Sequence, residues 1–350
     1  MYSKDSWTYY NGQWLTVYGL MHNQNRDMKW EIKKEFDVGL DFSLFNRRLS
    51  GRMDYFSRKI EDAIYSGIPV ASPPAVYSTS TVNIGDITNK GFEFELNGRV
   101  VDTRDWTFDT SLVGSFVGKS RLEGKAKDTH MEFQPMPHGG GSAVRIFGGQ
   151  EIGRYFLYRF AGVREEDGTP MIYSKDNKVI PYASGTDEDR VQTGNGLPKA
   201  VLSWNNTVRY RNWDLNLFFR SWLGQDVYNV TDMIQGVNCK ITEGQNLLRT
   251  AYRRNKAISN TDRLMLLDYW LEKGDFLKLD AVTLGYTLPR NKIKYVEKLR
   301  CYFTVRNVCT LTGYSGLDPE VNVNGLAPGF EGMSQYPRTR SFILGIEIGF

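Results

Sequence analysis

Apolar and polar residues alternate along this chain with a period of two, over stretches longer than globular strands usually run. From Trp30 to Leu44 the even positions are Trp, Ile, Lys, Phe, Val, Leu, Phe and Leu, while the odd ones are Glu, Lys, Glu, Asp, Gly, Asp and Ser. Successive side chains of a strand point to opposite faces, so this segment has one apolar and one charged surface. The rule repeats in Phe92, Phe94 and Leu96, in Trp106, Phe108 and Leu112, and in Ala200, Leu202, Trp204, Val208 and Tyr210. Trp213, Leu215, Leu217 and Phe219 follow it, as do Leu299, Cys301, Phe303 and Val305. The strand closed by Tyr286-Thr287-Leu288-Pro289 slips phase near Asp280, where a bulge is expected.

Connections alternate in length. Phe45–Arg48, Val101–Asp105 and Arg211-Asn212 read as tight turns, and Glu61–Thr88, Lys119–Ile152, Gly224–Gly274 and Tyr314–Tyr336 as long polar loops. One rim of short turns and one of long loops is the plan of a transmembrane β-barrel. About eleven strands are expected, counting a pair near Tyr155–Val163 and Thr169–Tyr173. The fold class is therefore all-β, an antiparallel transmembrane β-barrel. The last strand places Phe342, Leu344, Ile346, Ile348 and Phe350 on one face, with Gly345, Glu347 and Gly349 on the other. A final strand ending on Phe resembles the signal read by the outer-membrane barrel assembly machinery.

Composition is compatible with that plan. The 350 residues are 41% hydrophobic and 13% aromatic, and mean hydropathy is -0.44. No run of 18 or more apolar residues occurs, so no membrane helix is expected. The net charge of +4 implies no nucleic-acid partner. Cys301 and Cys309 sit on one strand roughly 26 Å apart, too far for a disulfide, so they and Cys239 read as free thiols. The N-terminus, Met1-Tyr2-Ser3-Lys4-Asp5, lacks the pattern of a signal peptide.

Candidate chemistry is sparse. His130 and His138 share a loop with Asp128 and Glu132, and His22 stands apart; their spacing matches no metal motif. Asp187-Glu188-Asp189 suits either a calcium ion or, more plainly, a solvated loop face. No nucleophile elbow, His-Glu-x-x-His or phosphate loop is present, so neither catalysis nor a cofactor is expected. Trp14, Trp222, Tyr228 and Trp270 fall in or beside the long loops. They are the candidates for stacking against a sugar or peptide, the bland reading being loop packing or an interface girdle.

Five segments, in order, resemble the SusC/RagA family of TonB-dependent outer-membrane importers. They are Met28-Lys29-Trp30-Glu31, the run Asn83-Ile84-Gly85-Asp86-Ile87-Thr88-Asn89-Lys90-Gly91-Phe92-Glu93, Val282–Pro289, Tyr314-Ser315-Gly316-Leu317-Asp318-Pro319-Glu320 and Tyr336–Phe342. Asn25-Arg26-Asp27 departs from the family's Asn-Pro-Asp. The resemblance implies a Gram-negative outer membrane and a barrel of 22 strands whose second half this chain supplies as a fragment, the plug lying elsewhere. Met1–Asp27 would then be an extracellular loop and residues 28–350 barrel strands and loops. It also implies TonB-dependent uptake of oligosaccharides or peptides, with a SusD-like surface lipoprotein as partner. A non-transporting receptor or adhesin barrel and a secreted glycan-binding β-protein are the alternatives.

Overall fold

Strands form wherever the sequence alternates, and the longest of them join one antiparallel sheet. The computed structural model describes residues 2–20, 23–70, 77–123, 130–135, 141–237, 246–258, 266–289, 295–321, 325–332 and 336–350. A hairpin of β1 (Tyr2–Tyr10) and β2 (Gln13–Leu20) comes first, followed by the long strands β3 (Ile32–Leu44), β4 (Leu49–Pro69), β5 (Thr79–Asp102) and β6 (Trp106–Val117). Short strands follow: β7 (Arg121–Glu123), β8 (His130–Pro135), β9 (Ser142–Phe147), β10 (Tyr155–Val163), β11 (Pro170–Tyr173), β12 (Val179–Pro181) and β13 (Arg190–Thr193). Next are β14 (Ala200–Tyr210), β15 (Trp213–Leu223), β16 (Asp226–Tyr228), the short helix α1 (Val230–Gln235) and β17 (Leu271–Lys273). The chain closes with β18 (Phe276–Thr287), β19 (Lys298–Thr312) and β20 (Ser341–Gly349).

The wall runs β20-β19-β18-β15-β14-β6-β5-β4-β3, every neighbour antiparallel. Register carries the apolar face straight across it. Val208 of β14 opposes Phe108 and Leu215, Leu215 opposes Leu284, and Leu284 opposes Phe303, which opposes Leu344. This face is bare: Phe36, Leu40, Leu344 and Phe350 are all largely exposed. A continuous apolar surface of that size belongs against lipid.

Aromatic rows bound it. At the tight-turn rim Trp106, Tyr210, Trp213 and Tyr286 line up in register, with ring centroids 4.4 Å apart for Trp106–Tyr210 and 4.7 Å for Trp213–Tyr286. A second row, Tyr55, Phe92 and Phe116, crosses the sheet higher up. Trp106 and Phe116 are ten steps apart on β6, roughly 33 Å at ~3.3 Å per residue. A tilt of about 40° projects that to roughly 25 Å, the height of a membrane barrel's apolar band.

Three expectations need revision. Among the described residues nine strands run in order through the wall and the short β7 pairs on β5 as a tenth, where about eleven were expected. The pair β10 and β11 lies in a separate sheet, because Tyr155, Phe156, Leu157 and Tyr158 are buried on both faces instead of alternating. Within Glu61–Thr88 the described residues are largely strand, since β4 and β5 run for 21 and 24 residues and project past the upper aromatic row. The bulge expected near Asp280 is present as a register shift between Leu279 and Ala281, matched by one between Phe218 and Phe219.

The N-terminal segment is a hairpin that turns at Asn11 and Gly12, both with positive φ (49° and 79°). The chain leaving it docks on the projecting part of β5. Asn23 Nδ2 donates to the carbonyls of Tyr77 (2.7 Å) and Thr79 (2.9 Å), and Asn25 Nδ2 donates to that of Thr81 (3.0 Å).

Candidate functional site

The polar face of the wall is laced by ion pairs between strands, most of them neighbours, with Asp214 and Arg300 reaching across β18. Asp109 accepts from Arg99 (2.9 Å) and Arg209 (3.0 Å), Asp214 from Arg300 (3.0 Å), and Glu347 from Lys298 (2.6 Å). An open groove of about 530 Å³ lies on this face at the tight-turn rim, lined by Arg209, Asp214, Lys298, Arg300 and Glu347. Its charges already answer one another, as befits a wetted lumen wall more than a catalytic centre.

At the opposite rim, three long connections fold together. Those between β6 and β14, between β15 and β18, and between β19 and β20 contribute Leu157, Trp270 and Phe330 to one buried cluster. Tyr155 sits at its middle. Its ring packs edge-on to Phe330 (5.3 Å), and its hydroxyl lies 2.9 Å from the carbonyls of both Asp226 and Gly329. Burial pushes that phenol well above its ordinary pKa, so it stays a donor. Gly329 has φ +84°, and a Cβ there would collide with the Tyr155 hydroxyl and come 2.8 Å from the Asp226 carbonyl. Gly329→Ala is therefore expected to destabilise the loop body by more than ~1 kcal/mol. Faster amide exchange at Asp226–Tyr228, with the wall strands unaffected, is the measurement that checks it.

Helix α1 is placed by its cap: Asn229 Oδ1 accepts from Asp232 N at 2.9 Å. Asp232 is itself buried and takes hydrogen bonds from Thr250, Arg254 and Asn255. These bonds give the buried carboxylate its partners and tie α1 to residues 250–255.

The four aromatic candidates separate. Tyr228 and Trp270 have 0% of their surface exposed. They are structural residues of the loop body and present no face to a ligand, which corrects the expectation that they stack on one. Trp222 is half-buried on the polar face near the mouth, its ring 5.6 Å from Phe276. Trp14 is 67% exposed on the N-terminal hairpin, with Tyr9 edge-on at 5.2 Å. The structure does not bring Trp14 and Trp222 together with the other two. Tyr252 and Tyr336 are further exposed aromatics on the long connections.

The acidic run is neither a calcium cradle nor a bare solvated face. Asp187 pairs with Arg145 (2.6 Å) and Arg190 (3.1 Å), Asp189 caps the Thr186 amide (2.8 Å), and Glu188 pairs with Lys175. Burial pushes the Asp187 carboxyl up, but the two guanidiniums outweigh it and hold it below the usual range. No metal-binding group of three occurs among the described residues. His22, His138, Asp128 and Cys239 lie outside them. Cys301 and Cys309 are free thiols.

One cluster escaped the sequence reading. Lys278 of β18 is fully buried, its Nζ 3.3 Å from Asp318 and 3.0 Å from Glu320. Arg220 of β15 reaches Glu320 (2.9 Å) and Asp280 (3.2 Å), and Arg338 reaches Asp318 (3.2 Å) and Glu320 (2.8 Å). Burial would push Glu320 up, yet hydrogen bonds from Arg220 and Lys278 hold it below its ordinary pKa. The sequence held a signal in the Asp318-Pro319-Glu320 motif, although its partners are far away in the chain.

Comparison with known proteins places these features. Residues 4–308 match the family described as TonB dependent receptor-like, beta-barrel. TonB-dependent receptor P3 of Formosa agariphila is 27% identical over 93% of this chain and 35% of its own length. TonB-dependent receptor SusC of Bacteroides thetaiotaomicron is 26% identical over 93% of this chain and 32% of its own. The solved RagAB peptide transporter superposes with a TM-score of 0.78 at 18% identity, over 99% of this chain and 38% of that one; at that identity the likeness is one of fold. The chain thus spans about a third of the length of the curated relatives it matches.

Proposed function

This chain belongs to the TonB-dependent receptor β-barrel family, in its SusC/RagA branch, and on that footing we propose that it supplies wall, lumen lining and extracellular loops to an outer-membrane importer energised through TonB. The family's barrels are outer-membrane proteins, and its members are transporters and receptors, not enzymes. The observation that carries the proposal is the two-faced wall. Its apolar side is bare between two aromatic rows about 25 Å apart, and its other side is paired charge under a folded loop body.

Among the described residues β3 and β20 each have one unpaired edge. Unpaired backbone groups are prohibitively costly in lipid, so further strands must complete the ring. The long-loop rim is the extracellular one in this reading, and residues 1–27 belong to it because Asn23 and Asn25 dock on the projecting end of β5. Phe342, Leu344, Ile346, Ile348 and Phe350 serve as the strand that the assembly machinery recognises.

Oligosaccharides or peptides are the proposed cargo, and a SusD-like lipoprotein the partner over the loops. Trp14 and Trp222 are the stacking residues left with an open face. The partner assignment draws on the resemblance stated above and on the RagAB peptide transporter that shares the fold. Uptake of fluorescent oligosaccharide and peptide pools should be compared between parent cells, cells lacking the gene, and cells treated with an uncoupler. Loss of one pool's uptake in both perturbed cultures is the expected result. Unchanged uptake of both pools in the deletion strain would favour a receptor that transports nothing.

A further inference from the structure

Described residues between Tyr314 and Arg338 contact two different bodies, the wall and the loop body. Towards the wall, Asp318 and Glu320 engage Lys278 of β18 and Arg220 of β15, while Asp280 of β18 shares Arg220. Arg338, just before β20, returns to the same two carboxylates. Towards the loop body, Gln225 Nε2 donates to the Pro319 carbonyl (3.1 Å), Ser315 N donates to Glu272 (2.8 Å), and Tyr228 N donates to the Gly329 carbonyl (2.8 Å). Phe330 then packs against both Tyr155 and Tyr228.

We infer that this segment is a latch, in which a neutral set of six charges clips the extracellular loop body to the lumen side of the wall so that the two are held as one unit. The set contains three cations (Arg220, Lys278, Arg338) and three carboxylates (Asp280, Asp318, Glu320), drawn from β15, β18 and both limbs of the last long connection. A joint meant to stay shut is made more cheaply from apolar side chains, because desolvating ions offsets most of their attraction. Ions differ from apolar groups in one respect: when the joint parts, every one of them is rehydrated. Apolar faces would resist that exposure. The cluster is accordingly suited to two discrete arrangements, shut and released, and Lys278, which has no exposed surface, is the member that forbids a half-open state.

Amide hydrogen exchange on the full-length protein, purified from outer membranes, tests this. Glu320→Gln keeps the shape of the side chain and removes the charge that three cations share. Protection is expected to fall at least tenfold, together, in 314–331, in 225–235 and in 266–273, while β14 and β15 keep theirs. Loss confined to 317–321, or no change, would overturn the latch. Should Glu320→Gln fail to reach the membrane, Arg338→Gln removes only a half-exposed partner and is expected to give the same joint loss, smaller in size. A purely local change in that variant would equally sink the idea.

Discussion

Trp270→Ala is expected to melt the extracellular loop body while leaving the barrel wall intact. The ring is completely buried, packs edge-on to Tyr269 at 4.8 Å and belongs to the cluster that holds Leu157, Tyr155 and Phe330. Its backbone carbonyl also accepts from Asn229 N (2.9 Å), which fixes the cap of α1. Deleting a buried indole costs about 3–5 kcal/mol, from lost transfer energy and the cavity left behind. That is on the order of a hundredfold or more in local opening. Exchange protection at Tyr155–Tyr158 and Asp226–Tyr228 should fall by this factor, whereas β14 and β15, which draw their hydrogen bonds from the sheet, should not change. Trp270→Phe, keeping most of the volume, should recover most of the loss. If Trp270→Ala left those amides fully protected, the loop body would not be a single packed unit.

The wall was legible because its physics is local. Period-two alternation follows from strand geometry, tight turns show as brief breaks between alternating runs, and even the bulge at Asp280 announced itself as a slipped phase. What was misread depends on neighbours distant in sequence. Tyr155–Val163 looks like any other strand until Leu266, Trp270 and Phe330 cover its second face. Glu61–Thr88 lacked alternation because its outer part stands beyond the membrane band, where neither face has to be apolar. Tyr228 and Trp270 were candidates as aromatics in or beside long loops, and nothing in their own segments says that three connections will close over them. Lys278 and Arg220 belong to none of the motifs the sequence offers. Their partner Glu320 lies 42 and 100 residues away.

Leu217→Arg should prevent most of the protein from assembling in the outer membrane, while Ser111→Arg at nearly the same depth should not. Leu217 lies on β15 four steps above Trp213 of the lower aromatic row, opposite Asn206 and Val282, near the middle of the apolar band. An arginine facing lipid at mid-depth costs roughly 2–4 kcal/mol, falling towards zero near the interfaces. Ser111 has the opposite parity: it opposes Asn205 and Asn97, lines an open groove beside Asp109, and gives an added guanidinium water and a carboxylate. The folded fraction in outer membranes, read as the heat-modifiable band of the full-length protein, should drop by at least tenfold for Leu217→Arg and by less than twofold for Ser111→Arg. A graded pair, Trp213→Arg and Leu217→Arg, adds depth to the comparison, because the rim position should cost less than the central one. Equal tolerance of arginine at Leu217 and Ser111 would mean that the two faces of the sheet meet the same solvent, and the barrel reading would fail with it. The reverse ranking would turn the wall inside out, placing the paired charges against lipid, where their desolvation would be unaffordable.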